Sequence, residues 1–530
     1  MKNTPLLKRP PFLFRAAVLL AGAAGGALLA RAEAGAMMEV LWREGGAMAG
    51  WIHGHVTTII SAGVVVAQVA GMLSSIRAIM ETRTPQGAVA WVVALNLLPY
   101  VSVPAFWVFG RNRFVGYALL RREKEGMTAQ IIQAALGNMR EQSLLVTPRL
   151  DDPFAVERLA HLPLTRGNDA ELLVDGDATF ASIFAGIDRA RDYVLVQFYI
   201  IHDDATGREL LARLAARAAA GVRCCVVFDE IGSSGLTNRY VRAMRAAGIH
   251  AVKFDSRRGR WNRTQINFRN HRKIVVVDGA EAWVGGLNAG DEYRGMDKKI
   301  GYWRDTHVRV AGPVVQCVQA AFVDDWNWAA GEVLRALNWQ ARPAPGGASR
   351  IALCLPSGPS DELETATLFF LDAIDAARRR LWIASPYFVP DEQFISALQL
   401  AALHGVDVRI LIPDKSDNAL MGLSSWAFLE DLEKAGVRTF RYEKGFMHHK
   451  VMVVDDAYCT VGTANFDNRS FRLNFEVTMV FADGDFARQV AAMLEEDFKH
   501  SRLATMEELD ARGFWYRLGV RAAMLLSPLQ

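Results

Sequence analysis

A chain of 530 residues is too long for one ordinary domain, and two or three are expected. A hydrophobic content of 51% with a mean hydropathy of +0.10 exceeds what a purely water-soluble body needs and points to membrane segments on a globular body. A net charge of only +3 argues against a nucleic-acid partner, and five irregularly spaced cysteines form neither a zinc pattern nor a disulfide framework, so buried, reduced thiols are expected.

Residues 1–50 form an N-terminal segment. Its apolar stretch, 16–30, follows Lys2, Lys8, Arg9 and Arg15, and reads equally as a signal-like segment, a short span or an interfacial helix. Residues 51–112 are expected to be a transmembrane hairpin. The runs 56–76 and 87–110 carry no charge, and each meets the roughly 20 apolar residues a bilayer demands. Pro99 and Pro104 stand where they could kink the second run, and Trp91, Tyr100 and Trp107 suit the interfaces. Basic residues crowd the flanks, whereas only Arg77 and Arg83 lie in the joining loop. If 16–30 does not span, the positive-inside rule puts the remaining chain on the cytoplasmic side.

Beyond residue 112 the chain alternates between strand-like and helix-like segments, and then repeats itself. An apolar strand (193–200), a helix-periodic stretch ending on Gly (207–221) and a second strand (222–230) recur as 380–390, 391–405 and 406–414. The Pro- and Gly-rich 338–350 divides the copies. The expected fold class is α/β: tandem domains at 113–340 and 341–530, each a mixed or parallel sheet flanked by helices, after the hairpin.

The copies carry matching motifs, "NHRKIVVVDGAEAWVGGLNAG" and "MHHKVMVVDDAYCTVGTANFD". Aligned, they place His271 on His448, Lys273 on Lys450, Asp278 on Asp455 and Asn288 on Asn465, with an equal His-to-Asn offset (288 − 271 = 465 − 448). Strand side chains alternate faces, so His448 and Lys450 share one face and His449 takes the other. A His, a Lys and an Asn on one face make an oxyanion site. Two such sets around one point suit a phosphodiester: one His attacks phosphorus while the other protonates the leaving alkoxide. Lys and Asn supply the electrostatic stabilisation, so neither a metal nor a cofactor is expected. Asp278 and Asp455 complete the two catalytic motifs, though a turn-fixing part fits them better than a chemical one. Glu476 and Asp305 each begin the strand after a motif and are expected to orient a His. Counted from the His of its own motif, one offset is 28 (476 − 448) and the other 34 (305 − 271). His449, Asp456, His202 and His404 read as structural or solvated.

These residues resemble the phospholipase D superfamily, whose signature is the duplicated His-Lys-Asp motif. From about residue 56 onward, "TRTPQGAVAWVVALNLLPYVSVPAFWVFGRNRF", "VGGLNAGDEY", "VGTANFDNRSFRLNFE" and the terminal "LLSPL" are similar to bacterial cardiolipin synthases. The resemblance implies an inner-membrane enzyme that joins two phosphatidylglycerols into cardiolipin, releasing glycerol through a phosphatidyl-histidine. By the same resemblance His271 and His448 are the nucleophile and acid/base pair, with His271 favoured as nucleophile. Lys273, Lys450, Asn288 and Asn465 would bind phosphate. The partners implied are membrane phospholipids. A hydrolytic phospholipase D or another phosphatidyl-transferring relative would use the same residues, and an inactive membrane scaffold is the contrasting class.

Overall fold

The computed structural model describes residues 46–82, 84–110, 114, 116–117, 133–146, 159–257, 267–298 and 301–525. The stretch 16–30 lies outside them. The chain divides into two units, Met1–Asn112 and Arg113–Gln530.

The first unit is helical: α1 (Gly46–Glu81), α2 (Pro85–Leu97) and α3 (Pro99–Phe109). Thr84 caps α2 by accepting a hydrogen bond from the Gly87 N–H, and Pro85 occupies its first turn. The second apolar run is two helices and not one kinked helix. Leu98 leaves the helical region (φ −133°, ψ 55°), as a residue before proline is pressed to do. The unit is inside-out. Val64, Val65, Val66, Leu73, Ile76 and Ile79 face outward, while Ser74, Ser75 and Ser102 are buried. Asn96 Nδ2 donates to Ser75 Oγ (2.8 Å) and Trp107 Nε1 to Ser74 Oγ (3.2 Å). At Gly71 a Cβ would stand 2.2 Å from the Leu95 carbonyl oxygen, so the helices approach where only glycine fits. Polar contacts and small residues between helices, with apolar side chains outside, are the packing rule of helices in lipid. Among the described residues, 55–81 is the one helix long and apolar enough to cross a membrane.

The second unit is built on a 16-stranded sheet of described residues. Its first copy contributes β1 (Thr165–Val174), β2 (Tyr193–Phe198), β3 (Arg223–Asp229), β4 (His250–Phe254), β5 (Arg269–Asn270), β6 (Ile274–Val277), β7 (Glu281–Gly285), β8 (Trp303–Arg304) and β9 (Thr306–Ala311). The second contributes β10 (Arg350–Ser357), β11 (Arg380–Ala384), β12 (Phe388–Val389), β13 (Asp407–Pro413), β14 (Arg438–Tyr442), β15 (Phe446–Met447), β16 (Val451–Val454), β17 (Tyr458–Gly462), β18 (Phe466–Asp467), β19 (Asn474–Phe481) and β20 (Ser501–Leu503). The order β4-β3-β2-β6-β7-β9-β1 in one copy repeats as β14-β13-β11-β16-β17-β19-β10 in the other. Antiparallel pairing of β1 with β10 joins them, with β20 as an extra edge. The parallel pairs β2–β3 and β11–β13 are crossed over by α4 (Ala205–Ala219) and α5 (Glu392–Leu403). Each helix starts at an aspartate cap, Asp204 onto the Gly207 N–H (2.9 Å) and Asp391 onto the Phe394 N–H (3.3 Å). The central strands β2, β6 and β16 are buried throughout, with apolar side chains on both faces. All five cysteines are buried and unpaired.

Each motif hairpin, β6–β7 and β16–β17, turns on its aspartate. Asp278 and Asp455 take left-handed φ values of 53° and 52°, a region Asp tolerates better than most residues. The Asp278 carboxylate accepts from the N–H groups of Arg191 (2.8 Å), Asp192 (2.8 Å) and Tyr193 (2.9 Å). Asp455 does the same for Arg378 (3.1 Å), Arg379 (2.7 Å) and Arg380 (2.9 Å). Each ties the hairpin to the start of the neighbouring strand. We expect Asp278→Ala or Asp455→Ala to lower stability by about 1–3 kcal/mol, as backbone donors lose their acceptor. Denaturant unfolding measures the loss. Turnover per folded molecule should be kept, and a stable but inactive variant would assign the carboxylate a chemical part instead.

Candidate active site

The histidines are delivered by two short strands that cross between the copies. β5 pairs in parallel with the start of β19, Arg269 opposite Asn474 and Asn270 opposite Phe475. The His271 N–H continues the ladder to the Phe475 carbonyl (2.9 Å). β15 pairs likewise with β8, Phe446 opposite Trp303 and Met447 opposite Arg304, and the His448 N–H reaches the Arg304 carbonyl (2.7 Å). The next residue on each opposing strand is an acid. His271 Nδ1 therefore lies 2.9 and 3.0 Å from the Glu476 oxygens, and His448 Nδ1 lies 2.7 Å from Asp305 Oδ2. Both proposed orienters touch a histidine, but the partners are exchanged relative to the sequence offsets. Each acid holds the imidazole of the other copy.

The unequal offsets have a local cause. Gly285 of β7 faces His307, and Gly462 of β17 faces Thr478. Asp305 and Glu476 thus stand at the same register, two residues before those partners. The first copy spends six more residues than the second between its Asn and its acid (305 − 288 = 17, 476 − 465 = 11), including the short 3-10 turn Asp291–Arg294. The small-residue step before each Asn makes room for the acid. A Cβ on Gly286 would lie 2.1 Å from Asp305 Oδ1. Thr463, at the matching position, donates its hydroxyl to Glu476 Oε2 (2.6 Å).

Lys273 and Lys450 are buried, and each Nζ donates to the carbonyl of the histidine two residues earlier, at 2.7 and 2.6 Å. Lys450 Nζ also lies 2.8 Å from His448 Nδ1. A carboxylate at 2.7 Å on that nitrogen requires Nδ1 to carry the proton, so Nδ1 donates to Asp305 and the lysine's donation goes to the carbonyl. Burial sets the charge states. It lowers His271 to about 4, opposed by Glu476 and reinforced by Lys273 and Lys450. It lowers His448 to about 3, with Lys450 adding to the effect and Asp305 opposing it. Lys450 is depressed to about 8 by burial, against the pull of Asp305 and Glu476, and burial also pulls Lys273 well down. Asp305, despite burial, is held at about 2 by Lys450 and His448. Groups of both motifs thus feel one another's charge, as the sequence repeat implies.

The two asparagines differ. Asn288 accepts from the Ile200 N–H (3.1 Å) and donates to the Tyr293 hydroxyl (2.8 Å), so its amide is committed to the scaffold. Asn465 Oδ1 is buried with no partner among the described residues. Asp278 and Asp455 sit at the hairpin turns beyond the far ends of β6 and β16, where their carboxylates accept backbone N–H groups, in keeping with the turn-fixing part expected of them. On the other strand face, Arg272 pairs with Asp325 (3.0 Å), and His449 bridges Thr306 Oγ1 (2.5 Å) and Asp497 Oδ2 (3.1 Å). His202 pairs with Glu292 (3.0 Å).

Several site residues were not read from the sequence. Tyr199 packs edge-on to His271 (5.0 Å between ring centroids), and Lys273 lies over the same ring. Trp303 packs on His448 at 5.0 Å. Thr463 and Asn474 each donate to Glu476. The signal for Thr463 was present, since it replaces Gly286 in the alignment of the two motifs.

Comparison with known proteins agrees with this geometry. A family model described as "Cardiolipin synthase, PLD-like domain" matches residues 183–324 and 370–498, and each segment contains one His-Lys pair and one of the two acids. Cardiolipin synthase A of Pseudomonas entomophila (strain L48) is 44% identical over 470 residues, spanning 87% of this chain and 96% of its own. The chain belongs to the cardiolipin synthase family of phospholipase D-like proteins. Cardiolipin synthase A of Pseudomonas fluorescens (strain SBW25) gives the same 44% identity and the same coverage. The crystal structure of phosphatidylserine synthase from Haemophilus influenzae Rd KW20 matches with a TM-score of 0.53 at 14% identity, covering 71% of this chain and 98% of that one, and so shares the fold.

The adjacent histidines offer a direct contrast. We expect His448→Ala to lower the turnover of the folded protein by ~10²–10⁴, the range of a lost acid/base group. His449→Ala should instead cost about 1–3 kcal/mol of stability by stranding Thr306 and Asp497, and should keep most turnover in the folded fraction. Equal inactivation of two well-folded variants would contradict the two-face reading.

Proposed function

We propose that the protein joins two phosphatidylglycerol molecules into cardiolipin, releasing glycerol, through a phosphatidyl-histidine intermediate. The observation that carries this reading is the pair of imidazoles, each with Nδ1 committed to a buried carboxylate and Nε2 left to act. The lysines and acids around the imidazoles support it. A bound phosphodiester adds one negative charge, which favours uptake of a proton by one imidazole and so supplies the acid of the first step.

In the first step one Nε2 attacks phosphorus, the bond to the glycerol oxygen breaks, and the other imidazolium gives its proton to that oxygen. In the second, a headgroup hydroxyl of another phosphatidylglycerol attacks phosphorus and passes its proton to the second imidazole as the P–N bond breaks. His271 is our choice of nucleophile. Lys273, Lys450 and the Nδ2 amide of Asn465 donate to and stabilise the phosphoryl oxygens. The inside-out helical unit supports a multi-pass anchor in the bacterial inner membrane, and the distribution of basic residues supports a cytoplasmic catalytic body. An anchor of this kind keeps the enzyme where its lipid acceptor is concentrated. A positioned hydroxyl can have an effective molarity of about 10⁵ M or more and so outrun water.

The test is the product ratio on bilayers containing labelled phosphatidylglycerol. Cardiolipin and glycerol should dominate, and added glycerol should regenerate phosphatidylglycerol from cardiolipin. Phosphatidic acid as the main product, with no cardiolipin, would make the enzyme a hydrolase.

A further inference from the structure

The last described helix, α6 (Phe514–Met524), has two apolar faces where the fold uses one. Its inward face, Tyr516, Val520 and Met524, packs into the core of the second copy with Leu423, and Ala523 on the same side is buried. Its outward face carries Phe514, Trp515 and Leu518, and Leu525 just beyond, which are 63, 80, 46 and 81% exposed. The spacing 514, 518, 525, with 515 beside them, follows one side of a helix, so these side chains form a continuous stripe. The helix contains Arg517 and Arg521 and no acid. Both arginines, with Arg512 just before it, are about half exposed.

We infer that this stripe is an interfacial contact with an anionic lipid surface, separate from the N-terminal helical unit. Three features select lipid over protein. The aromatic pair at one end has the character of side chains that settle at the bilayer interface. The arginines beside an apolar stripe can bury their stems and turn their guanidinium groups to lipid phosphates. Their present partners, Glu508 (3.2 Å), Asp510 (3.5 Å) and Glu430 (3.0 Å), are surface pairs of small net worth, so exchanging them for phosphate costs little. The stripe is also small for a protein interface. From the exposures and ordinary side-chain areas it offers on the order of 500 Å², against the roughly 800 Å² per partner of a stable complex. The proposal extends the membrane reading above in assigning anionic lipid as the occupant. It does not depend on which reaction the site performs.

The test uses the full-length protein in vesicles of phosphatidylglycerol and phosphatidylethanolamine. Because all five native cysteines are buried, Leu518→Cys accepts a polarity-sensitive fluorophore selectively, and Glu495→Cys on an exposed turn of the helix Gly484–Lys499 provides the comparison. Nitroxide-bearing lipids should quench the probe at 518 several-fold more strongly than the probe at 495. The double variant Trp515→Glu/Leu518→Glu should raise the phosphatidylglycerol surface density needed for half-maximal turnover while leaving the limiting rate. Equal quenching at the two positions overturns the proposal. So does a probe at 518 that is shielded from water yet unquenched by lipid, which would assign the stripe to another copy of the chain. Failure of cardiolipin formation leaves the quenching result intact, so the two readings fail separately.

Discussion

Two buried carboxylates, each bonded to an imidazole of the other copy, are the constraint on which the rest of the site depends. Glu476 and Asp305 are fully buried, and an uncompensated charge there would be severely destabilising. Part of that compensation crosses the boundary, because β5 and β15 set His271 and His448 against the acids, beside the donors Thr463, Asn474 and the Thr306 N–H from the acids' own copies. Neither copy alone supplies both members of the His271–Glu476 or the His448–Asp305 pair. The duplication is therefore more than a repeat of one domain. It supplies the imidazole partner of each buried acid, and the antiparallel β1–β10 pairing fuses the two sheets.

The same constraint governs the chemistry. A carboxylate on Nδ1 fixes the tautomer and leaves Nε2 for phosphorus. Burial, reinforced by the lysines that would bind phosphate, depresses both histidines towards the neutral form. Nucleophile and acid then need not be distinguished by different resting pKa values. In the proposed reaction the negative charge of the phosphodiester draws a proton to one of the two imidazoles and so makes the distinction. The asymmetry lies in the surroundings, where Asn288 is held by Tyr293 and Ile200 while Asn465 is not.

Much of this was legible in the sequence, for physical reasons. Period-two alternation separated His448 from His449, and the structure puts them on opposite faces, one beside Asp305 and the other between Thr306 and Asp497. Helical periodicity and glycine stops located the repeated crossovers to within a few residues, and both acids that touch the histidines were named. Their assignment to individual histidines failed because offset along the chain measures contacts within a copy, whereas β5 and β15 pair between copies. The extra residues after Asn288 hid the equivalence of Asp305 and Glu476 for the same reason, since register in a sheet is set by pairing and not by count. In the first unit, hydropathy found both apolar runs but could not show that Leu98, pressed by Pro99, divides the second.

The exchanged pairing is tested most directly by comparing four variants for the covalent intermediate. Acid-labile labelled phosphatidyl-enzyme and exchange of labelled glycerol into phosphatidylglycerol are measured for His271→Ala, Glu476→Gln, His448→Ala and Asp305→Asn. If each acid positions the histidine of the other copy, Glu476→Gln reproduces the pattern of His271→Ala in milder form, and Asp305→Asn reproduces that of His448→Ala. Glu476→Gln matching His448→Ala, with Asp305→Asn matching His271→Ala, would contradict the account.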